Sequence, residues 1–228
     1  MSSQLNPGLS PLAALAQVQN DLDRFADAPE FPGSSMSRKI AQVLQRLTNR
    51  RRKGLALDVG TGFGDDAIWL AERGWRVTAV DISRVALDRA KAEAVARGVS
   101  AQIAWLPVDL LEWSPPAQTF DLVTSQFIHF QQPLRDKVFR RLASAVKPRG
   151  TLLIVGHDPS DLLTTAKRWS VPGGLHAAPE VAALLDPAEW TLEAVAARPR
   201  EATDPAGRSI LVHDAVVRAR RVPADGAD

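Results

Sequence analysis

The sequence predicts an α/β fold: a doubly wound, mostly parallel sheet that ends in an antiparallel hairpin. Three observations carry this. First, Ala56-Leu57-Asp58-Val59-Gly60-Thr61-Gly62-Phe63-Gly64-Asp65-Asp66-Ala67-Ile68-Trp69-Leu70-Ala71 passes from an apolar run, through three alternate glycines, into a helical pattern opening at Asp65. Second, further apolar runs that read as strands alternate with helical stripes, as in βαβ units. Third, residues 190–196 and 209–217 each alternate in polarity around Asp204-Pro205-Ala206-Gly207, so they should pair as a hairpin.

At 228 residues the chain can bury one core, and it is read as a single domain over 1–228. Within it, 1–53 is an N-terminal helical segment, 54–157 a ligand-binding core, and 158–222 a lid with the C-terminal strands. The formal charge is only +2, which is no electrostatic footprint for nucleic acid. Without cysteine there is neither disulfide nor thiolate metal site, and the four histidines show no metal-ligand spacing, so no metal is expected. No secretory signal and no apolar run of membrane-spanning length is evident, so the expected location is the cytoplasm and no membrane partner is expected.

Taken in order, Ser10 and Pro11 open a helix carrying Leu12, Leu15, Val18, Leu22 and Phe25. A second helix shows Ile40, Val43, Leu44 and Leu47 on one face and ends in Arg50-Arg51-Arg52-Lys53, read as a solvated, dipole-favoured helix end rather than an RNA patch. After the glycine turn, Gly74 stops the first core helix and Val77-Thr78-Ala79-Val80-Asp81 is the second strand. Ser83 caps a helix running to Arg97. Residues 101–107 and 120–126 are the third and fourth strands. Leu134, Val138, Leu142 and Ala145 stripe the next helix, whose charges from Arg135 to Arg141 are expected to form a solvated outer face. The fifth strand follows Gly150, and a long connection then leads to a short helix over 179–185.

Two ligands compete for the glycine turn. A dinucleotide loop wants G-x-G-x-x-G, but the third glycine position holds Asp65, with Asp66 after it. Two carboxylates there would repel a pyrophosphate, and Asp58 adds to that charge. The turn suits a ligand with no phosphate and some positive charge.

Asp58-Val59-Gly60-Thr61-Gly62-Phe63-Gly64 resembles the first motif of the class I S-adenosylmethionine-dependent methyltransferases. The resemblance continues in order through Asp81, through Leu106-Pro107-Val108-Asp109-Leu110, through Phe120-Asp121-Leu122-Val123-Thr124-Ser125-Gln126, and through the fifth strand, over roughly residues 55–157. It implies a Rossmann-like seven-stranded sheet with one antiparallel member, and S-adenosyl-L-methionine as cofactor. It places Asp58, Gly60, Thr61, Gly62, Gly64, Asp81, Ile82, Asp109, Leu110 and Gln126 at the cofactor. By analogy Asp81 takes the ribose hydroxyls, Asp109 the adenine amine and the glycine turn the aminopropyl arm, with Thr61 or Gln126 at the methionine end.

The implied activity is in-line methyl transfer, in which the enzyme aligns the acceptor and excludes water. The nearest resemblance is to the bacterial small-molecule branch, so a small-molecule acceptor is the leading reading. RNA or protein methylation and non-catalytic cofactor binding are the alternatives. The Asp/Asn-Pro-Pro-Tyr/Phe pattern of amino-directed nucleic-acid methyltransferases is absent after the fourth strand. His129, just past that strand, is the first candidate proton acceptor and His157, at the end of the fifth, its rival. Residues 158–185, with Trp169 and Leu175 as acceptor contacts, are the expected lid.

Overall fold

A strand covered on both faces must be apolar along its whole length, and β1 (Leu55–Val59) buries four of its five residues. The computed structural model describes residues 54–166 and 173–223. After β1 come α1 (Asp65–Glu72), β2 (Arg76–Asp81), α2 (Arg84–Ala96), β3 (Ile103–Pro107) and β4 (Phe120–Gln126). They are followed by α3 (Leu134–Ser144), β5 (Val146–His157), α4 (Ala178–Ala182), β6 (Trp190–Thr203) and β7 (Ser209–Arg221).

The strands form one seven-stranded sheet in the order β3-β2-β1-β4-β5-β7-β6. Pairing is parallel from β3 to β5, and β7 runs antiparallel to both β5 and β6. The expected fold, with its single antiparallel strand, is therefore the observed one. The order reverses between β1 and β4, so the carboxyl ends of these two strands flank a topological switch point. Alternate residues of the central strands feed two cores. On one face Leu57, Val59, Val123, Leu152 and Ile154 pack with Val138 and Leu142 of α3 and Val181 of α4. On the other, Ala56, Leu122, Leu153 and Val155 pack with Ile68 and Leu70 of α1.

The helix signals hold in detail. Gly74 and Gly98 follow α1 and α2 with positive φ, and the Ala86 N–H donates to Ser83 Oγ at 3.2 Å, making Ser83 the N-cap of α2. Three boundaries differ from expectation. A 3₁₀ turn takes Ser100–Gln102, so β3 starts later. The short helix stops at Ala182, before a turn in which Asp186 accepts the Glu189 and Trp190 N–H groups. β6 runs well past the expected strand, because residues 197–203 pair residue for residue with β7 up to Thr203↔Ser209, and β7 runs on to Arg221 along the starts of β5 and β6.

The expectation of a solvated charged face on α3 is wrong at two positions. Arg135 is 2% exposed, bonded to Asp136 and Glu180. Arg141 turns onto backbone carbonyls of residues 110–113. A charge pattern cannot reveal either, because the partners come from distant segments or from the main chain. The two expected N-terminal helices, Arg50 to Lys53, Trp169 and the chain beyond Pro223 lie outside the described residues. Among the described residues no helix is long and apolar enough to cross a membrane.

Candidate active site

The glycine turn between β1 and α1 is built from left-handed backbone, with φ of 70° at Gly60, 53° at Gly62 and 81° at Gly64. The Gly60 and Thr61 N–H groups both donate to the Val80 carbonyl, at 2.9 and 3.0 Å, and so fasten the turn to β2. The glycines serve different needs. A Cβ on Gly60 would lie 2.9 Å from Ile128 Cγ1, and one on Gly64 would lie 2.7 Å from Trp105 and 2.8 Å from Ala90 Cβ. A Cβ on Gly62 would meet nothing within 4 Å. The outer two glycines seat the turn, while the middle one faces open space where a ligand can approach the backbone.

Carboxylates surround that space. Asp81 ends β2, and its two oxygens accept from the Gly62 N–H at 2.8 Å and the Ser83 N–H at 2.9 Å. Burial raises its pKa in spite of these bonds. Asp58 lies beneath the turn, 2% exposed, and accepts the Thr61 hydroxyl proton. Burial lifts its pKa to about 6, with the charges of Asp81 and Asp65 adding to the effect. Asp66 is raised well above the usual range, first by burial and then by Asp58 and Asp65. Like charges this close oppose any further anion and favour a cation.

Asp109 follows β3, and the Val108 N–H donates to the Asp81 carbonyl at 2.9 Å, which holds the two acids at adjoining strand ends. One Asp109 oxygen accepts the Leu111 N–H at 2.8 Å. Beside them Ile82 is exposed and Leu110 is half-buried against the core. Gln126 ends β4; its amide donates to Thr124 Oγ1 at 3.4 Å, and its buried Oε1 has no hydrogen-bond partner among the described residues. The Thr61 hydroxyl donates its hydrogen bond to Asp58, so only its acceptor lone pairs remain for another partner.

The two candidate histidines come together. Phe127 takes left-handed backbone, with φ of 54°, while its N–H donates to the Val155 carbonyl at 2.8 Å. Its ring centroid is 4.6 Å from that of His157, and the His129 ring is 5.3 Å from His157 on a 30° tilt. β4 and β5 thus end in three neighbouring rings, two of them imidazoles. Sequence reasoning treated His129 and His157 as rivals, because it could not see that the chain beyond β4 folds back over the end of β5. It also missed Ile128 and Trp105 as backing for the turn. Strand alternation flags Trp105 as one-sided, but nothing local pairs it with Gly64. Among the described residues no group of three acidic or histidine side chains could hold a metal ion.

A sheet of this order, with a glycine turn over acids at its switch point, has the architecture of the class I S-adenosylmethionine-dependent methyltransferases. Residues 56–150 match the family model described as a methyltransferase domain.

A release factor glutamine methyltransferase from Rhodopirellula baltica is 35% identical over 134 residues, covering 58% of this chain and 44% of the relative. Methyltransferase GfsG from Streptomyces halstedii is 27% identical over 132 residues, covering 54% and 48%. The chain therefore spans about half the length, or less, of these curated relatives. A solved Burkholderia thailandensis 1,6-didemethyltoxoflavin-N1-methyltransferase, with 1,6-didemethyltoxoflavin and S-adenosylhomocysteine bound, shares the fold with a TM-score of 0.67. It is 20% identical, with 96% of this chain and 93% of that chain covered.

Proposed function

We propose that this protein transfers a methyl group from S-adenosyl-L-methionine to a small-molecule acceptor. The observation that carries the acceptor reading is the ring cluster of Phe127, His157 and His129. It offers an aromatic surface with imidazoles as its polar groups, which suits a compact acceptor better than a nucleic-acid backbone. The solved enzyme that shares the fold is an N1-methyltransferase with 1,6-didemethyltoxoflavin bound, in line with this reading. The release factor relative points the other way, toward a protein acceptor. Cytoplasmic location is part of the same proposal.

The residues present fit the cofactor. The open face at Gly62 leaves room for a chain to lie along the turn, and Asp58 with Asp81 supplies negative charge for an ammonium and a sulfonium. A carboxylate has about four lone-pair sites; Asp81 uses two on backbone N–H groups, leaving others for a ribose diol. Ile82 and Leu110 present apolar surface for adenine, and the second oxygen of Asp109 can accept from its amine. The orphaned Gln126 Oε1 can accept from the methionine ammonium. The cofactor supplies the electrophilic methyl. The chain's own residues orient the acceptor against Phe127 and take its proton at His129 or His157 as the hydroxyl or amine becomes a nucleophile.

The test is incubation with labelled cofactor and a metabolite extract, in parallel with total RNA and purified release factors. Product masses then identify the acceptor. Label entering only small molecules is the expected result, and label entering only RNA or release factor would refute the acceptor reading. Calorimetry should show S-adenosylhomocysteine binding and no NAD binding. Asp81→Ala should weaken that binding by about 1.5–3 kcal/mol, the worth of a charge-assisted hydrogen bond.

A further inference from the structure

We propose that Arg141 is a positioning residue for the adenine end of the cofactor site. This inference rests on the cofactor reading above. The segment after β3 carries Asp109 and Leu110, and it is neither helix nor strand. Inside, it is tied as one turn: Asp109 accepts the Leu111 N–H with its carboxylate and the Glu112 and Trp113 N–H groups with its carbonyl. This leaves the carbonyls of residues 110, 111 and 113 to be satisfied from elsewhere. Arg141, in the last turn of α3, satisfies them. Its Nη2 donates to Leu110 O at 2.7 Å and its Nη1 to Trp113 O at 3.0 Å. Longer bonds of 3.4 Å reach Leu111 O and Ser114 Oγ.

Three features separate this from an ordinary surface arginine. Apart from Ser114 Oγ the partners are main-chain carbonyls, so the contact fixes the path of the backbone rather than one side chain. They span Leu110 to Ser114, so one rigid planar fork sets the whole turn. And the turn is distant in sequence, 27 to 31 residues away, so α3 is being used as its external support. The same helix follows directly on the segment that carries Phe127 and His129. Through Arg141 one rigid element sets both the adenine-side turn and the start of the acceptor side, and sites held on rigid elements keep their geometry best.

Calorimetry with S-adenosylhomocysteine and with adenosine tests this, using the full chain and the variants Arg141→Met, Arg141→Lys and Arg140→Met. Arg140 is the control: it sits on the same helix, exposed, and bonds the Leu184 carbonyl at 3.1 Å instead. Arg141→Met should weaken both ligands by the same factor, about tenfold or more, as displaced binding groups do. Arg141→Lys should recover part of the loss, because an ammonium can reach one carbonyl but not the set. Arg140→Met should bind like the parent. A folded Arg141→Met with parental affinity for both ligands would overturn the proposal, and so would an equal loss in Arg140→Met. If Arg141→Met does not fold, Arg141→Lys decides: at least a threefold loss supports the proposal and parental affinity overturns it. A parent chain that binds neither ligand would instead refute the cofactor reading itself.

Discussion

The two halves of the sheet are held at their ligand ends by different means. Around β1, β2 and β3 the fastenings are mostly main-chain, Gly60 and Thr61 onto Val80 and Val108 onto Asp81, joined by one bond from the Gly62 N–H to the Asp81 carboxylate. The ion pairs there, Lys91 with Asp88 and Arg97 with Glu93 and Glu72, lie on exposed helix faces and contribute little. Around β5, β7 and β6 the fastenings are charged side chains. Arg135 bridges to Glu180, and Arg200 grips Asp214 with two bonds of 2.8 and 3.1 Å. Buried Asp161 accepts the His213 N–H at 2.8 Å, and Asp204 gathers Thr165, Ala206 and Arg208. The first half is a local device that a short motif can specify. The second is assembled from partners dozens of residues apart.

The largest effect should come from breaking the local device. Gly64→Val places a branched side chain on left-handed backbone and against Trp105 and Ala90. Strain and overpacking together should cost about 2–5 kcal/mol in urea unfolding. Gly62→Ala has the same backbone problem without the clash, so it should cost about 1 kcal/mol of stability yet lose S-adenosylhomocysteine binding in calorimetry. If Gly62→Ala binds like the parent, the open face of the turn is not where the ligand lies.

The halves should also differ in the sign of their pH dependence. The folded pKa of Asp58, about 6, lies above its unfolded value of 3.8, so the folded state holds the proton more tightly. Its penalty is absent below about pH 4 and grows as pH rises to 6, by up to about 3 kcal/mol. Asp58→Asn should therefore gain stability over the parent at pH 7 and lose that advantage at pH 4.5. Asp204 is shifted the other way, below its usual range, first by the Arg208 backbone N–H and then by the Thr165 hydroxyl. Its contribution is present above pH 3.8 and is lost as pH falls. Asp204→Asn should bring acid unfolding to a higher pH than the parent's. Urea titrations across pH 3–8 check both signs.

His129→Ala tests the ring cluster. With His129 as general base, kcat should fall about 10²-fold and the acidic limb of the pH–rate profile should vanish. If the limb persists in His129→Ala and vanishes in His157→Ala, the base is His157, one ring further in.

This contrast explains what was legible in the sequence. Gly60, Gly62, Gly64, Asp81 and Asp109 could be placed because each owes its position to a strand end and a turn, both of which leave local signatures. The seven strands were legible for the same reason. Hairpin length was not, because β6 runs on over a polar stretch, residues 197–203, held by pairs such as Arg200 with Asp214, which alternation does not report. His129 and His157 were named separately, but their meeting depends on the left-handed Phe127, and no residue type announces that conformation in advance.

The smallest effect on function concerns the expected lid over residues 158–185. Its two described ends are anchored: Thr165 bonds Asp204, and Glu180 bonds Arg135. A mobile cover over the acceptor needs at least one end to release. Arg135 is the better place to ask, since it is buried while Glu180 is about half exposed. Removing one partner of a fully buried pair costs about 3–5 kcal/mol. Here Glu180 can turn to water, so Arg135→Met should cost less, about 1–2 kcal/mol, with methionine filling much of the space. If the anchor holds the acceptor side in place, the variant should also raise the acceptor KM while leaving S-adenosylhomocysteine affinity unchanged. Glu180→Gln should do the same more weakly, because it keeps a hydrogen bond. A stability loss with both binding constants unchanged would make Arg135 a strut between α3 and α4 and nothing more, and the acceptor would then be closed off from another side of the sheet.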